Sequence, residues 1–338
     1  MKYLKWPLIV LVGLAVIYSI LCAVGPKNVN VTRELKMKAK PAHVYNLVHD
    51  LKEWNTWSSW AKNDSTMITT YPGKTLGVGA ISKWTSDEQG AGSQEIIEAE
   101  KNRRLKTRLA FDGWDGYSYG EFNIVPDGNE TNVSWSMSGD KDFSFLQRGM
   151  MLLMGFKGSI KKNYDESLRN LKAIVEPRAK GIYDGYKINR VEIPEKSYVM
   201  NRAEVKTSAV GQFFNRNLGG LANKVGEARL IMDGMPSALF FKWDDESRTT
   251  DMAAAIPVKE GAEVDGYTTL TIPAKNALQI DYYGDSSKSA KAHNALDAYL
   301  NDNSLLSDRP IVEEYVTDPG TEKDPTKWLT KITYYLAE

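Results

Sequence analysis

Cysteine and histidine are scarce in this 338-residue chain: one thiol, Cys22, and three imidazoles, His43, His49 and His293. A lone thiol excludes an internal disulfide framework and any multi-cysteine metal site. With no H-x-x-x-H spacing among the histidines, a zinc enzyme also lacks its ligands, and no metal or cofactor is expected. Excess charge is missing too, since 43 lysines and arginines balance 43 aspartates and glutamates. That balance removes the electrostatic footprint of a nucleic-acid binder, and no helix-turn-helix pattern with clustered basic residues accompanies it. A G-x-x-x-x-G-K-[ST] phosphate loop is absent. Disorder is excluded in turn by a composition that is 42% hydrophobic and 25% charged.

What the chain does have is one long apolar run. Residues 6–24, WPLIVLVGLAVIYSILCAV, carry no charge and are long enough to cross a bilayer. A signal peptide has a shorter apolar core and a small-residue cleavage site, whereas the candidate here, Ala23-Val24-Gly25, is followed at once by Pro26. Bulky Leu21 ahead of Cys22 also disfavours a lipoprotein box. The reading is an uncleaved, single-pass anchor over residues 1–27. Lys2 and Lys5 before the span favour an inside amino terminus, while Lys27, Arg33, Lys36, Lys38 and Lys40 follow it. Those later charges alternate along a strand-like run, so the soluble part is placed on the extracytoplasmic side.

Residues 28–176 read as a first soluble domain. NVNVTRELKMKAKP alternates like a half-exposed strand, and Pro41-Ala42 opens a helix with Val44, Tyr45, Leu47 and Val48. Trp54, Trp57 and Trp60 follow at intervals of three, as packing residues or as ligand contacts. Strand-like runs come next (GVGAISKW, SQEIIEAE, RRLKTRLAF, YGEFNIVP, TNVSWSMS), and then a helix with Ile160, Tyr164, Leu168, Leu171 and Val175 at helical spacing. The Met-rich run QRGMMLLMGF before it offers Met150, Met151 and Met154 as gap-fillers or as an adaptable mouth to a cavity. Pro41-Ala42 with Val44-Tyr45, Asp50-Leu51, Trp54, Trp57, Ser58, Trp60 and Val133-Ser134-Trp135-Ser136-Met137 with Gly139 resemble the START-like helix-grip family, also called SRPBCC or polyketide-cyclase-like. The resemblance implies an antiparallel sheet gripping a long helix around an apolar cavity for hydrophobic or amphipathic small molecules, with no universal catalytic set.

Residues 177–184, PRAKGIYD, read as a linker, and 185–338 as a second domain. Two successive units of strand, helix, strand, strand suggest a duplication. Pro236, Phe241 and Asp244 keep the mutual offsets of Pro310, Tyr315 and Asp318, which superposes Leu239 on Glu313 and Phe240 on Glu314. In PIVEEYVTDP, alternation puts Ile311, Glu313 and Tyr315 on one face and Val312, Glu314 and Val316 on the other. One carboxylate therefore points inward unless the strand lies at a sheet edge, where charge discourages aggregation. Pro310 to Tyr315 with Asp318-Pro319 resembles the GyrI-like effector-binding family, over residues 183 to 338. In that family the strand glutamate sits in an aromatic-lined cleft and meets cationic or polar small molecules; by position it is Glu313, with Tyr315 beside it. Tyr198, Phe241, Trp243 and Tyr283 are further candidates to line the cleft, and Glu314 is left to solvent.

The expected molecule is thus α+β: a transmembrane helix, a helix-grip domain and a duplicated β-α-β-β domain. It binds hydrophobic or cationic amphipathic molecules, makes membrane contact through residues 6–24 and has no nucleic-acid partner. A hydrolase using Glu313 as general base, with Tyr315 as donor, is the alternative.

Overall fold

The structure, a computed structural model, describes residues 5–259 and 264–337. Lys2 of the charge argument lies outside the described residues. The chain divides into two compact units, residues 1–180 and 181–338.

The first unit opens with α1 (Lys5–Val24), the one helix among the described residues long and apolar enough to cross a membrane. Strand β1 (Asn30–Met37) leads into α2 (Pro41–His49), whose first position is the proline that suits a helix start, and two short helices follow, α3 (Trp54–Trp57) and α4 (Ser59–Asn63). Then come β2 (Ile68–Thr70), β3 (Ile81–Ser86), β4 (Gly90–Glu100), β5 (Arg104–Phe111), β6 (Ser118–Asp127) and β7 (Glu130–Gly139). These form one antiparallel sheet in the order β1-β7-β6-β5-β4-β3-β2. Helix α5 (Phe145–Leu153) begins at a reciprocal cap between Ser144 and Gln147. Gly155, in the left-handed region, turns the chain into the long α6 (Phe156–Arg178), which starts three residues earlier than the apolar spacing alone suggests.

Helix α6 buries Ile160, Tyr164, Leu168, Leu171 and Val175 against the sheet, the stripe read from sequence. Its grip is fastened at one edge by Arg33 of β1, whose guanidinium takes Asp165 in a two-pronged pair. Inside, an aromatic column forms: Phe122 stacks on Trp135 at 4.7 Å, and Trp135 on Tyr164 at 3.8 Å. Trp57 is fully buried beside it and donates its ring N–H to the carbonyl of Leu47.

The segment expected to be a linker is largely structured. Helix α6 continues through Pro177 and Arg178, and β8 (Ile182–Tyr183) already pairs with β9 (Tyr186–Lys187) in the second unit. Tyr183 explains the difference: its ring is fully buried and its hydroxyl donates to Asp302, so packing overrides the turn-like local sequence.

The second unit continues with β10 (Asn189–Ile193), β11 (Lys196–Lys206), α7 (Val210–Glu227), β12 (Ser237–Asp244) and β13 (Thr249–Val258). It then runs through β14 (Thr268–Ile272), β15 (Lys275–Tyr283), α8 (Ala290–Asn303), β16 (Ile311–Tyr315) and β17 (Leu329–Tyr335). The sheet order is β10-β15-β17-β16-β12-β13-β11-β14, all antiparallel. The two β-α-β-β copies therefore meet at the β16–β12 pair in mirrored strand order, and each copy's leading strand, β10 or β14, pairs with the other copy.

Candidate functional site

Between α6 and the sheet of the first unit lies a cavity of about 1070 Å³. That is at the upper end of pockets that hold drug-sized ligands. Trp54, Trp60, Trp84, Phe111, Trp135 and Tyr164 supply aromatic walls, and Met150, Met151 and Met154 also line it, as the adaptable-mouth reading expects. Trp57 does not line it and serves packing alone, so the three tryptophans divide between the two roles. Gly139, Ser118, Leu109, Gln94 and Ser82 succeed one another across five strands beneath the cavity, and the small residues Gly139, Ser118 and Ser82 leave room in that row.

Two buried polar atoms in this lining, Gln94 Nε2 and Tyr164 Oη, have no hydrogen-bond partner among the described residues. Such atoms cost free energy unless something satisfies them. Burial raises the Tyr164 hydroxyl well above the usual phenol range, so it stays protonated and remains a donor. The string Gly116-Tyr117-Ser118-Tyr119-Gly120 fits G-x-S-x-G by residue type. Ser118 opens β6, however, in an antiparallel pair with β5 and β7 rather than at a strand-to-helix elbow.

In the second unit Glu313 sits on β16, flanked by β12 and β17, so the edge-strand role does not hold. Its side chain is buried, with 5% of the residue exposed. His293 Nε2 lies 2.6 Å from Oε1, the Ser289 hydroxyl donates to the same oxygen at 3.4 Å, and the Tyr315 hydroxyl donates to Oε2 at 3.0 Å. On the far side of the imidazole, Nδ1 lies 3.1 Å from the Tyr334 hydroxyl. Ser289 and His293, four residues apart across the start of α8, reach down together from the helix onto the strand. Phe214 of α7 closes the other side, 4.8 Å from the Tyr315 ring. Burial, reinforced by the Glu313 charge, pushes the Tyr315 hydroxyl well above its ordinary value, which keeps it protonated and donating.

Of the other sequence candidates, none joins this cluster. Tyr198 is buried on the opposite face with Val312, Leu239 and Tyr335, where its hydroxyl pairs with that of Tyr335. Phe241 packs against the same face with the Arg202 guanidinium 3.7 Å above its ring. Trp243 is 51% exposed and donates to Asp245, and Tyr283 is 61% exposed, its neighbour Tyr282 being the one turned into the core. The superposition of Leu239 on Glu313 also fails. Leu239 packs with Val312 on the face opposite Glu313, and a bulge between Phe240 and Lys242 breaks the constant offset along β12 that the superposition assumes. Glu314 is not left to solvent: it accepts from the Met235 N–H at 3.0 Å and lies 3.7 Å from Lys196 Nζ. Sequence reasoning missed Ser289, His293 and Tyr334. The helical Ser289/His293 spacing and the Ile332/Tyr334 alternation were the available signals.

An apolar cavity in a helix-grip unit, followed by a buried carboxylate between two pseudo-symmetric halves, defines a class of small-molecule-binding protein. Residues 28–176 match the family described as polyketide cyclase / dehydrase and lipid transport, and residues 186–334 match the GyrI-like small molecule binding domain. Each match covers one of the two units, the first family over the helix-grip unit and the second over the duplicated unit. Similar solved structures include a protein from Chromobacterium violaceum (17% identity, 44% of this chain and 97% of that one, TM-score 0.34). The C-terminal domain of EcmrR (19%, 45% and 98%, 0.40) and the Aha1 dimer from Colwellia psychrerythraea (17%, 44% and 96%, 0.34) are others. No curated protein matches the chain.

Proposed function

We propose that this protein is a membrane-anchored binding protein that captures amphipathic small molecules, with α1 as the anchor. The observation that carries the reading is the roomy, aromatic- and methionine-lined cavity holding two unpartnered polar atoms, Gln94 Nε2 and Tyr164 Oη. An apolar body would fill the cavity, and a hydrogen-bonding group on the same molecule would satisfy those atoms. The second unit adds the buried carboxylate of Glu313 among Tyr315, Tyr334 and Phe214, which suits a cationic group through charge and cation–π attraction. The soluble units are placed on the extracytoplasmic side, a reading supported by Lys5 ahead of the apolar span and by the alternation of the later cations along β1. The balanced net charge supports a reading without a nucleic-acid partner.

The second reading is hydrolysis with Glu313 as general base and Tyr315 as donor, favoured by the hydrogen-bonded series Tyr334–His293–Glu313–Tyr315. Native mass spectrometry of the full chain, released from detergent after incubation with fatty acids and cationic amphiphiles, tests both. Intact adducts support binding, consumed ligand supports hydrolysis, and neither result for any probe refutes the proposal.

A further inference from the structure

Helix α5 touches two apolar environments at once and leaves a third face uncovered. Towards the cavity it presents Gln147, Met150 and Met151, with Met154 just past its end. Towards α1 it presents Gly149, where an added Cβ would sit 2.6 Å from Cys22 Sγ and 3.1 Å from the Tyr18 ring. The Tyr18 hydroxyl donates to the carbonyl of Leu146 at 2.9 Å, and Arg148, the helix's one charge, donates to the carbonyls of Ala23 and Gly25 at the end of α1. The charge thus serves the helix junction rather than solvent. What remains outward is Phe145, Leu146, Leu152 and Leu153, all exposed, with Leu146 and Leu153 at 64%.

A contiguous apolar surface of this kind marks an interaction site. Its place in the fold names the partner. Tyr18 precedes Val24 by six residues, so α5 crosses α1 within the last ~9 Å of the apolar span. Interfacial helices rest at a depth of about 5–10 Å, at the boundary of headgroups and acyl chains. Tyr18 is itself a residue type enriched at that level.

We propose that α5 lies in the membrane interface beside α1 and forms the lid of the first unit's cavity, so that an acyl-chain amphiphile enters the cavity from the bilayer without crossing water. This rests on the reading of α1 as an anchor. The lid is adaptable because the side chains between bilayer and cavity are methionines, whose unbranched thioethers repack around a passing chain.

The test is the full chain reconstituted in phosphatidylcholine nanodiscs doped with a diazirine-chain phosphatidylcholine and, separately, a diazirine fatty acid, with adducts mapped by mass spectrometry. The expected result is labelling in α1, on Phe145–Met154, and inside the cavity at Met137 or Phe156. Cavity labelling by one probe only identifies whether the source is the phospholipid or the free acid. Leu152→Glu with Leu153→Glu, outside the cavity lining, should reduce cavity labelling about tenfold or more while α1 labelling stays unchanged. Labelling of α1 alone, or of α1 and α5 with none in the cavity from either probe, overturns the proposal and leaves the anchor standing. Protection of α5 by a second copy of the chain overturns it too. No labelling of α1 removes the anchor reading itself.

Discussion

Replacing Glu313 by glutamine removes one charge and changes almost nothing else, which makes it the sharpest probe of the second unit. The carboxylate is held by His293, Ser289 and Tyr315 at 2.6, 3.4 and 3.0 Å and is nearly cut off from water. A glutamine in the same rotamer still accepts from one side and donates from the other, so the fold should persist, with a denaturation midpoint close to that of the parent. A cationic ligand, by contrast, loses a poorly screened counter-charge and a charge-assisted hydrogen bond. That loss is worth about 1–3 kcal/mol, which corresponds to about tenfold to a hundredfold in Kd. Glu314→Gln is the matched control: it perturbs the Met235 and Lys196 contacts on the other face and should leave affinity within about twofold. Isothermal titration calorimetry with cationic, neutral and anionic amphiphiles reads the difference. Equal losses in the two variants, or a wild-type affinity for every ligand in Glu313→Gln, would refute the assignment of the charge-selective residue.

Three further outcomes are expected. Ser118→Phe, placing a ring in the sheet row beneath the cavity, should abolish binding of apolar ligands to the first unit while leaving titrations at the second unchanged; unaltered fatty-acid adducts in native mass spectrometry would contradict it. Trp57→Ala removes a fully buried ring and the hydrogen bond to Leu47, and should lower stability by about 3–5 kcal/mol in urea denaturation of the first unit's transition, against less than 1.5 kcal/mol for a conservative exchange such as Met150→Leu. Hydrogen bonding to Arg104 holds the Glu121 carboxyl below its ordinary range, so its contribution is present above the unfolded value near 4.3 and fades as pH falls through the folded value. Glu121→Gln should therefore flatten the loss of stability between about pH 5 and pH 2 by at most ~1 kcal/mol, and a variant with an unaltered acid profile would show the pair to be idle.

Much of this fold is visible in the sequence because burial imposes periods. The stripe Ile160, Tyr164, Leu168, Leu171, Val175 could only be a helix facing a core, and the alternation around Trp135 could only be a sheet with one face inward. Glu313 was legible for a related reason, since a central strand with two adjacent carboxylates must turn one of them inside. Its partners were not, because His293 and Ser289 arrive from a helix whose rotation over the sheet depends on packing. The bulge after Phe240 is a second case: one extra residue reverses every side-chain direction beyond it, and no spacing rule carries that information. The methionines of helix α5 read from sequence either as gap-fillers or as a cavity mouth, since its apolar residues surround the axis. Only its neighbours, α1 on one side and the cavity on another, give each face a meaning.

The exchange of leading strands in the second unit bears on its ancestry. Strand β10, which precedes the first copy, completes the sheet of the second, and β14, which precedes the second, completes the first. Cut apart between the copies, each half would carry one strand with nowhere to lie and two bare sheet edges. Such a half could have been stable only as an intertwined homodimer, each protomer lending its first strand to the other. Fusion in tandem would then make the partnership permanent and free the two central strands to diverge, leaving a carboxylate on one and alanine opposite it on the other.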